Sequence, residues 1–318
     1  MLSSLLNTPA AAVRPVPGAP GPGAPAAARV PKRRPHVLRE GAARALFGTA
    51  AALSIAAVAL ICLFLLANGV PAMAEIGLPE FLFGTTWRPV NDLYGIFPMI
   101  VGSLYVTAGA MIVGVPGGLL TALYFSRFAR GRTGSFLRSG VELLAGIPSV
   151  VYGFFGLVII VPFVRLLGPG TGLSVLAASL ILGIMILPTV ITVAQSALDA
   201  VPARYYEGAL ALGVDHEHAV FKVVAPAAAS GIMAAIVLGL GRAIGETMAV
   251  VMVAGNMPII PDSLLSGVRT MTANIVLEMG YAADLHREAL IATGVVLFVF
   301  ILLITMLLNV IRKRGEAR

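Results

Sequence analysis

The chain has 318 residues, of which 58% are hydrophobic and 12% charged, with a mean hydropathy of +0.94. A water-soluble domain cannot bury that much apolar surface, so this composition excludes one and indicates a polytopic membrane protein. The formal net charge of +7 is not taken as a nucleic-acid signature. In a membrane protein the placement of Lys and Arg matters more than their total.

Residues 1–44 begin with a tract rich in Ala, Pro and Gly (VRPVPGAPGPGAPAAARVP) and end in a basic cluster, RVPKRRPHVLRE. Such a segment cannot form a core and is expected to be disordered. The first apolar run starts only near Ala45, behind that cluster, so it reads as a membrane span and not as a cleavable signal. Six runs are long and nearly free of charge: 45–66, 97–125, 143–164, 173–195, 227–255 and 289–311. Each reaches about 20 residues, enough to cross about 30 Å of hydrocarbon as a helix. Lipid offers the backbone no hydrogen-bond partner, so the expected class is all-α with six transmembrane helices. Cys62 is the only cysteine and lies in the first run, so no intrachain disulfide is possible.

The basic residues test this count. Of the 22, 17 fall before span 1, between spans 2 and 3, between spans 4 and 5, or after span 6. The opposite side carries only Arg88, Arg165, Arg269 and Arg287, and Arg242 lies inside span 5. This bias places both termini in the cytoplasm of a multi-pass plasma-membrane protein, which needs an even number of spans. In the outer loop 68–96, Trp87 and Tyr94 suit either an interfacial anchor or a contact for an outer partner. Gly and Pro within the spans suit close helix packing, bending, or a bundle that must open.

Residues 196–226 (SALDAVPARYYEGALALGVDHEHAVFKVVAP) are longer than a plain connector needs. Pro202 suits a first helical turn and Gly213 a helix stop. A second short helix at 216–224 is expected behind Asp215 as its cap. The result is a helical hairpin on the cytoplasmic face. His216 and His218 are two apart and diverge on a helix, so no metal site is expected there. Glu207-Gly208-Ala209, three residues, Gly213, nine residues and Val223-Val224-Ala225-Pro226 resemble the EAA loop of ABC-transporter importer permeases. Gly208, Val223 and Ala225 depart from that pattern, and Gly208 weakens its helix by roughly 1 kcal/mol against Ala. The resemblance implies a docking element for an ATP-binding subunit, with Glu207, Gly208, Ala209, Gly213, Val223 and Pro226 as coupling residues and Glu207 facing a basic partner residue.

Three further stretches narrow the resemblance. ELLAGIPSVVYGFFGL (142–157), LGRAIGETMAVVMVAGN (240–256) and MTANIVLEMGYA (271–282) are similar to the PstC-type permease of the phosphate-specific importer, over about 86–314. That resemblance implies a type I ABC importer permease fold and a second, PstA-type permease chain. It also implies two copies of an ATP-binding subunit and an extracytoplasmic phosphate-binding protein. The expected organisation is a tail at 1–44, a first span with its outer loop at 45–96, a permease core at 97–311 and a basic tail at 312–318. A P-loop needs Gly-Lys-Ser/Thr. The lysines are Lys32, Lys222 and Lys313, preceded by Pro, Phe and Arg. ATP and Mg therefore belong to the partner, and no cofactor is expected on this chain. The same architecture also serves other oxyanions such as molybdate or sulfate. A scaffold without transport is a reading of another class.

Span 5 contains GRAIGETMAV (241–250). Charges in a bilayer centre are costly and usually face the bundle interior. Arg242 and Glu246, spaced i and i+4, would share one helix face and could meet. Gly239, Gly241 and Gly245 would thin the helix around them. Three readings stand: a structural ion pair, a phosphate path with Arg242, Glu246 and Thr247 as lining residues, and a proton relay. Arg suits a phosphate because its guanidinium gives two parallel hydrogen bonds. The outer segment 256–288 carries Met271, Ile275, Val276 and Met279 at helical spacing, consistent with packing.

Overall fold

A computed structural model of the protein describes residues 37–129 and 131–316. The tail expected at 1–44 lies outside the described residues up to 36, as do Arg130 and the last two residues. The chain divides into two units, 1–57 and 58–318. The elements in chain order are α1 (Val37–Ile76), α2 (Leu78–Phe83), β1 (Trp87–Arg88), β2 (Leu93–Tyr94), α3 (Phe97–Leu123), α4 (Gly131–Gly146), α5 (Ser149–Phe155), α6 (Val161–Arg165) and α7 (Val175–Asp199). There follow α8 (Ala203–Ala211), α9 (His216–Ala219), α10 (Ala225–Ala227), α11 (Ala229–Gly245), α12 (Met248–Val253), α13 (Met271–Glu278) and α14 (Asp284–Glu316). Wider π-type turns occupy Tyr124–Phe128, Gly156–Ile160 and Val220–Val224.

Among the described residues, four helical stretches are long and apolar enough to cross a membrane: Ala43–Ile76, Phe97–Phe128, Val175–Asp199 and Asp284–Val310. The other two expected spans are bent. Gly131–Gly146 meets Ser149–Arg165 at 101°, and His216–Ala227 meets Ala229–Gly245 at 71°. The total is six if each bent pair makes one span. The expected straight span 143–164 is therefore corrected. It breaks at Ile147–Pro148, where Pro148 has no N–H to donate and forces the preceding residue out of the helical region. Tyr152 bridges the break by donating its hydroxyl to the Leu144 carbonyl at 2.7 Å.

The centre is α3 against α7 and α11, where Val106, Ala110, Leu182, Ile186 and Ala243 are buried together. Hydrocarbon gives no hydrophobic drive between helices, so close contact must supply the attraction. A Cβ on Gly114 would lie 2.5 Å from Ile186 Cγ1, so α3 approaches α7 only because that side chain is missing. The chain between α12 and α13 folds over the start of α7. Ser174, Val175 and Leu176 donate their N–H groups to the carbonyls of Val253, Ser266 and Leu264 at 3.1, 3.0 and 2.8 Å. Those donors would otherwise be orphaned at a helix start.

A second cluster joins the end of α1, the β1–β2 hairpin, α13 and α14 through Met73, Phe81, Trp87, Tyr94, Met271 and Leu290. Trp87 and Tyr94 are 5% and 3% exposed and meet edge to face at 5.7 Å. The reading of these two as interfacial anchors or outer-partner contacts is thus overturned. The Trp87 indole donates to Glu278 at 2.8 Å, a partner 191 residues away. The apolar-packing reading of α13 also changes. Met271 is buried but Val276 is 51% exposed, while Thr272, Asn274 and Glu278 face inward.

Candidate functional site

Two places collect the residues singled out from the sequence. The first is the loop after α7. Pro202, with φ −56° and ψ 134°, stands at the cap position of α8, one residue ahead of the expected first turn. Its ring presets φ while its extended ψ turns the chain away from α7. Gly213 ends the hairpin's first helix at φ +85°, a backbone region that side chains strain to enter. Asp215 then caps α9 by accepting from the His218 N–H at 3.0 Å, and that bond draws its carboxyl below the usual range. The expected helix 216–224 forms as α9 followed by a π turn.

The two histidines have separate duties. His216 Nδ1 meets the Tyr206 hydroxyl at 2.7 Å, and its ring packs on Phe128 at 4.7 Å. His218 Nδ1 lies 2.7 Å from Asp215. Arg127 donates to the Leu198 carbonyl at 2.9 Å and stacks over the Tyr206 ring at 5.9 Å. Ser126 donates to Asp199 at 2.5 Å. Together these contacts fasten the hairpin to the end of α3, and nothing in the loop's own sequence indicated that.

On the far side the loop is uncovered. Glu207 and Gly208 are exposed, and a Cβ at Gly208 would meet nothing. The departure from Ala there therefore affects helix propensity alone. Leu212 is 86% exposed in a polar loop, with Tyr205, Leu210 and Phe221 also open. Apolar side chains left bare on such a hairpin fit a covering protein surface. Ala209 and Val224 face inward, Val223 is half-buried, and Pro226 is exposed within α10.

The second place is the end of α11. The helix stops at Gly245, and Glu246 is extended at φ −70° and ψ 131°. Here the i, i+4 expectation is corrected. Glu246 leaves the helical face it was expected to share with Arg242, and no ion pair joins them among the described residues. Instead the Glu246 carboxylate accepts from the Ala249 N–H at 3.2 Å, which caps α12. Negative charge is favoured there by the helix start. The Thr247 hydroxyl donates back to the Gly245 carbonyl at 3.2 Å. The Glu246 carbonyl accepts from the Thr272 hydroxyl of α13 at 3.2 Å.

Arg242 stays in the last turn of α11, exposed, with Tyr152 of α5 within its electrostatic reach. Of the three glycines, Gly239 packs on α7, where a Cβ would be 2.8 Å from Val190. A Cβ on Gly241 or on Gly245 would meet only open space. The arrangement presents a guanidinium beside two bare stretches of backbone.

Sequence reasoning missed a third group. Glu278 is buried and receives Arg269 Nη1 at 2.6 Å and His286 Nε2 at 2.9 Å. Arg269 also reaches the Asn274 side chain at 3.0 Å and the Asn256 carbonyl at 2.9 Å. Three charged or titratable residues in one outer segment were the available signal, but their partners are separated by loops whose path the sequence does not reveal.

Residues 114–316 match the family described as binding-protein-dependent transport system inner membrane component. The chain is 35% identical over 294 residues to the Probable ABC transporter permease protein YqgH of Bacillus subtilis, covering 90% of this chain and 95% of that protein. It is 33% identical over 279 residues to the Phosphate transport system permease protein PstC of Mesorhizobium japonicum, covering 81% and 85%. Among solved structures, an inward-facing MetNI methionine ABC transporter chain superposes with a TM-score of 0.53 at 21% identity, over 72% of this chain and 99% of that one. That last likeness shows the fold, a type I importer permease.

Proposed function

The chain belongs to the family of binding-protein-dependent transport system inner membrane components, and on that premise we propose that it is the permease subunit of an ATP-driven importer of inorganic phosphate. One observation carries the choice of substrate. Arg242 stands at a helix break in a bent span, exposed, while Glu246, four residues on, is engaged as a cap. An exposed guanidinium in a spanning helix is too costly to leave against lipid. An anion suits it, and a phosphate oxyanion can take two parallel hydrogen bonds from it. Thr247 adds a hydroxyl nearby. Glu246, although turned away, keeps negative charge close, which moderates the attraction so that a bound anion can leave. The similarity to PstC relatives, which are named for phosphate transport, supports the same substrate.

The bare backbone at Gly241 and Gly245 calls for a second protein surface. A PstA-type permease chain would cover that face and complete the path. The exposed hairpin 203–224, with Glu207 open on α8, would dock one of two ATP-binding subunits. An extracytoplasmic phosphate-binding protein would deliver the substrate to the outer side. This chain would hydrolyse nothing itself; it would convert closure of the ATPase dimer into a change of access.

The test is radiolabelled phosphate uptake by cells in which this chain is replaced by its Arg242→Gln variant and which have no other phosphate transporter. The expected result is loss of uptake while the assembled complex still hydrolyses ATP. Normal uptake by the variant would remove Arg242 from the path. Sulfate or molybdate competing better than phosphate would reassign the substrate.

A further inference from the structure

The break after Gly245 is held from outside its own span. In a continuous helix the Glu246 carboxylate would come round to Arg242, because residues four apart are neighbours on one face. Two contacts prevent this. The carboxylate is tied to the Ala249 N–H, and the Glu246 carbonyl is tied to the Thr272 hydroxyl at 3.2 Å. Thr272 is 8% exposed and belongs to α13. That helix is fixed in turn at both ends. Its first N–H, from Met271, donates to Ser103 of α3 at 3.0 Å. Its last residue, Glu278, is clamped between Arg269 and His286 at 2.6 and 2.9 Å.

We infer that Thr272 is a positioning residue for transport: its hydroxyl holds the α11–α12 break open, and so keeps Glu246 from neutralising Arg242. The inference rests on the reading of Arg242 as the anion-binding group. The physical reason is local. Removing the hydroxyl leaves a carbonyl unsatisfied in a low-dielectric place. The cheapest repair is to continue α11 through Glu246 into α12, so that the Glu246 carbonyl accepts from the Val250 N–H and the acid comes round to Arg242. Transport should then slow because the guanidinium is occupied by an internal partner.

The experiment compares Thr272→Val, Thr272→Ser and Thr272→Val with Glu246→Gln, each in the complete reconstituted complex. Val has nearly the shape of Thr and lacks the hydroxyl, which also meets the Thr270 hydroxyl at 3.1 Å. Thr272→Val is expected to lower maximal phosphate uptake about fivefold, the cost of one lost hydrogen bond. Thr272→Ser should restore it. In a Glu246→Gln background, where no ion pair can form, Thr272→Val should cost less than about twofold. A purely structural role predicts the same loss in both backgrounds, and that result would overturn the inference, as would wild-type uptake by Thr272→Val. A substrate-independent readout runs in parallel. A thiol placed by Gly245→Cys, with Cys62→Ser, should change its labelling rate several-fold when Thr272→Val is added, and an unchanged rate would count against the inference. If the unmodified complex imports no phosphate, the substrate reading fails by itself, and the labelling rate alone decides this one.

Discussion

Arg242 and Glu246 show how two neighbouring charges in one span take different duties. Arg242 keeps a helical position and open surroundings, whereas Glu246 is used up as a cap. Arg242→Lys retains the charge but gives up the planar fork, so uptake should fall roughly tenfold if two parallel hydrogen bonds to phosphate matter. Uptake kinetics on the assembled complex read this directly, and a variant as fast as the parent would mean that charge alone suffices. Glu246→Gln keeps an acceptor for the Ala249 N–H, while Glu246→Ala does not and should lose about 1 kcal/mol of stability as a missing cap. Both charges were visible in the sequence as residues out of place. Their separation was not, because an i, i+4 spacing has meaning only if the helix continues. What ends it is a capping bond and a hydroxyl 26 residues further on.

At the scale of elements, what hydropathy reports is the cost of transfer to lipid, and it carries no information on backbone direction. The runs at 143–164 and 227–255 were therefore legible as apolar and illegible as bent. Pro148 was a sign of the first break; in the second run the 71° bend at Ala228 follows Pro226, whereas the stop at Glu246–Thr247 has no proline to betray it. The hairpin at 203–224 was read more completely, since Gly213 and Asp215 are local signals whose geometry the neighbouring residues settle. Gly213→Ala should strain the backbone at φ +85° by about 1–2 kcal/mol and misdirect the hairpin. The measurable result is less ATPase copurifying with the chain, with the permease still in the membrane. Glu207→Arg should reduce copurification without that strain. By contrast, the clamp around Glu278 joins Arg269 and His286 across turns on either side of α13, with Trp87 reaching in from 191 residues away, and no local signal fixes that path. Glu278→Leu would leave the Arg269 charge buried without its counter-ion and should destabilise the outer segment by roughly 3 kcal/mol. A lowered melting temperature of the purified complex would register it, and an unchanged one would mean that Arg269 finds water.

At the scale of the whole molecule the remaining question is how the bent pairs cross the membrane. The basic residues favour one side by 17 to 4, and that bias places both termini in the cytoplasm only if the number of crossings is even. The sharp angle of 101° between Gly131–Gly146 and Ser149–Arg165 makes this a real test, because a re-entrant loop would remove one crossing. Val90, 98% exposed in the hairpin turn, and Glu217, exposed on α9, bracket α3, the bent pair and α7. Three crossings put them on opposite faces, and two put them on the same face. In a Cys62→Ser background, a thiol placed by Val90→Cys should react with an impermeant reagent added to intact cells. A thiol placed by Glu217→Cys should react only after the cells are opened. Reaction of both from outside would make Ser149–Arg165 re-entrant. The coupling hairpin would then lie on the wrong face for an ATP-binding subunit, so the same pair of labels that counts the spans also tests whether Glu207 can reach its partner.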